Sequence, residues 1–312
     1  MFRRRKREPL TWAVVVAAPK GESGEQWGDT WFARDLVDAL NRAGENARVV
    51  FRGGATSEAR EHDDVVLILR GLRRVVPRRG DATWMLWVIS HPELVEPDEP
   101  AQYDAVFAAS EHWSRGQSDE FGVPVTPLLQ ATNPARFTPS AAEPDTGDRL
   151  LFVGSTRKEF RPVVRDALAA GLDLTVYGVG WEEFLPPERI SGEFLGNDQL
   201  PAAYASAGAV LNDHWPDMAA QGFLSNRLFD AAACASRVVT DAATGLTDVF
   251  GDGIRVYTDA ASLTDLLGGD VEDQFPDREA RLALAARVAE HHSFDARAAV
   301  LIGRARELRG RR

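Results

Sequence analysis

Trp12-Ala13-Val14-Val15-Val16-Ala17-Ala18, a patterned stretch over residues 29–43, and Ala47-Arg48-Val49-Val50-Phe51 together decide the fold. The first and last are short apolar runs rich in valine, the composition of strands covered on both faces. Between them Phe32, Leu36, Ala39, Leu40 and Ala43 recur on one face at helical spacing. Asp29 reads as the N-cap of that helix and Gly44 as its stop. Strand, helix and strand in this order form a βαβ unit, and such units build parallel sheets.

The alternation continues outward. Residues 64–69, 83–89, 105–109 and 125–129 read as further strands, making six in the first half. Over 132–148 the composition turns to Pro, Thr, Ala, Glu and Asp without periodicity, which reads as an interdomain linker. Strands then resume at 150–153, 174–177, 209–211, 237–240 and 254–257, with helices at about 158–170, 198–207, 224–235 and 260–267. The expected organisation is a first domain over 1–131, a linker over 132–148, a second domain over 149–290, and a C-terminal helix over 291–312 that crosses back to the first domain. The fold class is α/β, with two Rossmann-like doubly wound domains facing a cleft. Ligands of such sheets bind beyond the carboxyl ends of the strands.

Length and composition agree with two folded domains. The chain has 312 residues, of which 44% are hydrophobic and 27% charged, so disordered and collagen-like classes are excluded. The longest apolar run, residues 12–18, falls well short of the ~20 needed to span a bilayer. Residues 2–7 are basic but no apolar segment follows them directly, so the expected location is cytoplasmic. A single cysteine, Cys234, makes neither an internal disulfide nor a cysteine-based zinc site and reads as a buried small hydrophobe. The net charge of −11 argues against a general nucleic-acid-binding surface. The run Arg3-Arg4-Arg5-Lys6-Arg7 reads as a solvated tail, with peripheral contact to anionic lipid as the alternative.

No Walker A sequence, no G-x-G-x-x-G at the first strand-to-helix turn, no G-x-S-x-G and no H-E-x-x-H is present. Triphosphatases, ordinary dehydrogenases, α/β-hydrolases and zinc peptidases lose ground accordingly. What remains are loops at strand ends. Gly154-Ser155-Thr156-Arg157-Lys158 follows the strand at 150–153, and small residues with two cations at a helix start suit an anion. The second loop is Gln221-Gly222-Phe223-Leu224-Ser225-Asn226-Arg227-Leu228-Phe229-Asp230. There Gly222 and Ser225 offer a turn and a cap, Asn226 and Arg227 face the strand ends, and Asp230 follows one turn later. Arg227 facing a diphosphate and Asp230 accepting from ribose hydroxyls is one reading; a surface Arg227–Asp230 ion pair is the plainer one.

These loops resemble the donor-binding half of GT-B glycosyltransferases. The resemblance rests on residues 222–241 together with Phe152-Val153-Gly154-Ser155, Val176-Tyr177-Gly178, Leu195-Gly196, Ala203-Tyr204 and the stretch 245–253. Within that group the chain is most similar to the group 1 branch that includes CgeB-like proteins. In the first half, residues 27–33 and Ser90-His91-Pro92-Glu93 resemble that branch's acceptor-domain loops, and residues 128–139, with Asn133, Arg136 and Phe137, resemble its connector.

The resemblance implies a GT-B fold and transfer of a sugar from a nucleotide-diphosphate donor to a hydroxyl-bearing acceptor. It implies no cofactor beyond the nucleotide-sugar co-substrate and no obligatory metal. Gly154, Ser155, Arg157, Lys158, Asn226 and Arg227 would face diphosphate or sugar, Asp230 the ribose, and Tyr177, Gly178 and Leu195 the base. Gly222 and Phe223 lie in the same loop. Read from their own positions, Asn212 and His214 beyond the strand at 209–211 line the donor pocket, with loop solvation as the alternative for His214, and Trp181 either stacks on or covers a base or is a core or interdomain residue. Many relatives carry two glutamates eight positions apart. Here Asp230 takes the second place and Gly222 the first, so the first carboxylate is lost, and a catalytically silent nucleotide-sugar-binding protein is the alternative. His91, beyond the strand at 83–89, is the candidate base, and Asp29 is its rival. His291 and His292 lack spaced metal-binding partners and read as structural.

Overall fold

The computed structural model describes residues 8–52, 63–78, 80–140, 149–269 and 271–311. The basic run at residues 3–7 lies outside them. The chain divides into two compact units, Met1–Leu128 with Phe294–Arg312, and Leu129–Ser293.

In the first unit six strands, β1 (Thr11–Val15), β2 (Asn46–Val50), β3 (Val65–Arg70), β4 (Thr83–Val88), β5 (Ala105–Ala108) and β6 (Val125–Pro127), form one sheet in the order β2-β1-β3-β4-β5-β6. Every neighbouring pair is parallel. β3 and β4 are buried at all positions, so their unbroken apolar runs reflect a sheet covered on both faces. The helix Gly28–Arg42 crosses from β1 to β2. Its end is closed by Gly44 at φ 91°, with Gly44 N–H donating to Asn41 O at 3.0 Å and Glu45 N–H to Leu40 O at 3.1 Å. The helix begins two residues earlier than an Asp29 cap would place it. Trp27 is the N-cap and Asp29 sits in the first turn, which frees its carboxylate from a capping role.

The C-terminal helix Phe294–Gly310 packs beside Gly28–Arg42 within this unit. Phe294 meets Phe32 edge-on with ring centroids 4.8 Å apart, and Arg306 and Arg309 pair with Glu45 and Asp64 at 2.6 Å each. Asp64 therefore ties the helix to the amino end of β3.

The second unit has strands β7 (Leu150–Val153), β8 (Leu174–Tyr177), β9 (Ile190–Gly192), β10 (Ala209–Leu211), β11 (Val238–Thr240) and β12 (Arg255–Val256). They lie in the order β12-β11-β10-β7-β8-β9, again all parallel. Alternate residues feed two cores, as a period of two requires. Leu151, Val210 and Val238 pack with Leu228 and Phe229 on one face, and Phe152, Val176 and Val239 with Val163 and Leu263 on the other. β9 is absent from the sequence reading, because three residues of mixed polarity carry no periodicity.

Two boundaries differ from expectation. The stretch read as a linker from 132 onward starts as packed structure. Thr132 N–H donates to His292 O at 2.9 Å, and Phe137 is buried with its ring 6.1 Å from that of Tyr204. Residues 141–148 lie outside the described residues. The helix expected from 158 is observed at Pro162–Ala169. Arg157 and Lys158 both adopt positive φ, 59° and 67°, which a right-handed helix does not accept, and Pro162 supplies the preset first turn.

Candidate functional site

In the second unit chain order reverses at the β7/β10 pair, so the loops leaving these two strands diverge and leave a crevice at their carboxyl ends. The side chain that fills this position is Arg227, from the first turn of the helix Asn226–Ala233. One of its terminal nitrogens donates to Asn212 Oδ1 at 2.6 Å and the other to the carbonyl of Val153, the last residue of β7. Its guanidinium also lies over the Phe152 ring, 5.2 Å from the centroid. Asn212 is fully buried and donates to Thr240 Oγ1 at 2.9 Å, so it fixes Arg227 from the end of β10. The ligands of Arg227 are neutral oxygens. Among the described residues no carboxylate pairs with it.

Two more arginines converge here. Arg161 is buried and paired through both Nε and a terminal nitrogen with Asp213, and it donates to Ser155 O at 3.0 Å. Arg157 lies over the Trp215 ring at 4.5 Å. Arg157 is exposed as a residue, while partial desolvation of its guanidinium beside the Trp215 ring, followed by the charges of Arg161 and Arg227, lowers it to about 10. Arg161 and Arg227 repel Arg157, with Asp213 and Glu159 opposing, and an anion between the guanidinium groups would relieve that repulsion. Lys158 is exposed beside them.

The loops are held close by glycines. A Cβ on Gly178, whose φ is 149°, would lie 2.2 Å from Gly154 O, so only glycine permits this approach of the β7 and β8 loops. Gly178→Ala is expected to cost at least about 2 kcal/mol in denaturant unfolding, since backbone rather than a side-chain tip must move. Wild-type stability in that variant would show that the approach is not enforced. Gly222, at φ 75°, closes the helix Pro216–Gln221 and turns the chain toward Ser225.

Several candidate residues have other duties. His214 is buried, and its Nε2 accepts from Ser225 N–H at 3.0 Å, which places the ring proton on Nδ1 facing Asp241 Oδ1 at 2.6 Å. His214 thus joins the ends of β10 and β11 to the loop before Asn226 and does not present a side-chain nitrogen to a ligand. Burial pushes the Asp241 carboxyl up, but hydrogen bonds from the His214 ring and backbone and from Thr240 outweigh it and hold it below the usual carboxylate range. Ser225 occupies the N-cap position without a side-chain cap bond. Trp181 is a core residue: fully buried, edge-on to Phe152 at 5.7 Å, with Nε1 donating to Gly154 O at 2.8 Å, so it does not stack on a base. Phe223 is likewise fully buried.

Asp230 accepts from Thr132 Oγ1 at 2.7 Å and Asn226 Nδ2 at 2.8 Å. The i, i+3 pairing with Arg227, the plainer of the two readings, is replaced by these contacts, and the Asn226 amide turns toward Asp230. Tyr177 and Leu195 are half-buried at the β8 and β9 side. Ser155 Oγ accepts from Val179 N–H at 3.3 Å. Among the described residues no cluster of three or more His, Cys, Asp or Glu side chains is arranged to hold a metal.

In the first unit a smaller polar group forms at the ends of β3 and β4. A Cβ on Gly71 would lie 3.0 Å from Ser90 Oγ and 3.6 Å from Asp29 Oδ2, which brings these two side chains to one point. His91 follows with φ 53°, a left-handed conformation that costs a non-glycine residue about 1–2 kcal/mol. Its Nδ1 lies 2.9 Å from Glu93 Oε1. Burial raises the Asp29 carboxyl, with the His91 charge opposing. Sequence reading passed over Arg161, Asp241 and Glu93, whose roles come from pairing across the fold; Glu93 was legible in principle as a carboxylate two residues from a candidate histidine.

Residues 157–303 match a family model described as glycosyl transferase-like. No curated protein sequence matches the chain. Among solved structures the chain is similar to AviGT4, a glycosyltransferase involved in avilamycin A biosynthesis, with 20% identity, TM-score 0.64, and coverage of 97% of this chain and 99% of that one. It is similar also to a sucrose-phosphate synthase from Thermosynechococcus elongatus, at 14% identity, TM-score 0.66, and coverage of 97% and 100%. Anabaena HepE, solved with UDP and glucose, shares 10% identity at TM-score 0.61, over 94% of this chain and 99% of that one. The two parallel six-stranded sheets form the fold of the GT-B glycosyltransferases, and the stretch similar to a glycosyl transferase-like family covers most of the second unit.

Proposed function

We propose that this protein moves a sugar from a nucleoside-diphosphate donor, held by the second unit, to a hydroxyl of an acceptor held by the first, without a metal ion. The observation that carries this reading is Arg227, fixed at the β7 and β10 ends on neutral oxygens with Arg157 beside it. Departure of a nucleoside diphosphate develops negative charge that these guanidinium groups, Lys158 and the N–H groups of the Asn226 turn would stabilise. HepE, solved with UDP-glucose, and a starch synthase solved with ADP and acarbose show that relatives in fold bind such molecules. Placement in the CgeB-like branch and a cytoplasmic location are part of the same proposal. No described helix is long and apolar enough to cross a membrane.

On the acceptor side His91 is the proposed base. With the Nδ1 proton donated to Glu93, Nε2 is the basic nitrogen, and the Glu93 and Asp29 carboxyls favour the imidazolium formed as the hydroxyl is deprotonated. The test is release of nucleoside diphosphate from a panel of nucleotide sugars in EDTA, with and without hydroxyl acceptors. Release from one donor supports the reading. Tight binding with no release would identify the silent module that the left-handed Gly222 keeps open, and a strict requirement for a divalent cation would remove metal independence.

Asp29→Asn separates stability from function. A carboxyl whose folded-state value is raised contributes stability that is present at acid pH and lost as pH rises through that value, so at neutral pH the Asp29 carboxyl is a net cost. Thermal melting of Asp29→Asn is therefore expected above wild type at pH 7, the difference vanishing below pH 4, while turnover falls. A lower melting temperature at pH 7 would contradict the assigned burial cost.

A further inference from the structure

A pocket of about 460 Å³ opens in the first unit where β1 and β3 end. Its floor is Val15, Val16, Ala17, Ile68 and Leu69, all buried and apolar, and the loop at residues 73–78 forms a wall. Val76 on that wall is 60% exposed, so the apolar surface runs outward to the rim. This volume suits a small organic molecule.

The charge around the floor is uneven. Arg74 is neutralised by Glu96 and Asp98. Arg52 donates through Nε to Ala17 O at 2.7 Å and lies over the Trp27 ring at 5.4 Å, both neutral partners. Arg73 and Arg78 also line the pocket and are exposed. Among the described residues no carboxylate pairs with Arg52, Arg73 or Arg78. Among the described residues three exposed guanidinium groups thus border this apolar floor with no carboxylate partner. A small polar anion would leave the floor unused, and a neutral apolar molecule would leave the guanidinium groups unanswered. The ligand that satisfies both is an amphipathic anion, with an apolar body on the strand ends and a carboxylate or phosphate against the arginines.

The wall is continuous with the polar group already described. Gly71, two residues before Arg73, lies against Ser90 and Asp29, so the pocket and the His91 region share one loop. We propose that this pocket takes the acceptor, and that the acceptor is an apolar molecule bearing one anionic group. That it is an acceptor, and not another ligand, rests on the transfer reading above.

The test uses the full chain and the fluorescence of bound 8-anilinonaphthalene-1-sulfonate, itself an apolar anion. Octanoate and octyl phosphate should displace the dye at least about tenfold more effectively than octanol, and their ratio tells a carboxylate from a phosphate preference. The variant R73E/R78E should lose that preference by a similar factor. Both residues are exposed, so the fold should persist, and an unchanged melting curve with unchanged nucleoside-diphosphate binding checks this. Equal competition by octanol, no dye binding, or an undiminished preference in R73E/R78E would overturn the pocket proposal while leaving the donor site intact. Selective anion binding with no nucleotide binding to wild type would instead overturn the acceptor role.

Discussion

Arg227→Ala is expected to lower kcat/KM for nucleoside-diphosphate release by roughly 10²–10³, the loss found when one fixed donor to a developing oxyanion is removed. The guanidinium is already held by Asn212 and the Val153 carbonyl, so it does not reorganise when charge develops, and its truncation removes both a cation and that preorganisation. Arg227→Lys should recover little, because a single ammonium cannot span Asn212 and Val153 while still meeting a phosphate. The loss should fall on donor binding and turnover alike, and the melting temperature should change little because the partners left behind are a strand-end carbonyl and an amide. Turnover within a few-fold of wild type would move the diphosphate elsewhere.

The second large effect is on stability. Asp213→Ala leaves the buried Arg161 guanidinium without its carboxylate, and breaking one partner of such a pair costs about 3–5 kcal/mol. Because Arg161 also donates to Ser155 O, the Gly154–Lys158 loop should loosen with it. Urea unfolding of the second unit measures the cost. The double replacement of Arg161 and Asp213 by apolar residues of similar size should recover most of it, since no unpaired charge remains. A loss below about 1 kcal/mol in the single variant would show that solvent reaches the pair.

The β1, β3 and β4 strands were legible because parallel strands covered on both faces must be apolar throughout, and their runs are too short for buried helices. β9 was not, since Ile190-Ser191-Gly192 is an edge strand whose pairing is decided by its neighbour. At the site, Gly154 and Arg227 stand out in the sequence because a small-residue turn and a basic first turn each have a local chemical meaning. Arg161 and Asp213 are 52 positions apart, and His214 and Asp241 are 27 apart; no local pattern announces such pairs. For Trp181 the sequence left a base platform and a core residue both open, and the structure decides for the core, with the indole fully buried and its Nε1 donating to Gly154 O. Asp29 had two readings, a helix cap and a rival base; the cap lies two residues earlier, at Trp27, which removes the first of them.

The most direct measurement of the donor site is calorimetric titration of the wild-type chain with UDP, dTDP, GDP and ADP in EDTA. Saturable binding of one of them, weakening with salt as a guanidinium–phosphate contact should, is the predicted result. No binding by any of the four, or binding that appears only when a divalent cation is supplied, would contradict a diphosphate held by Arg227 and its neighbours.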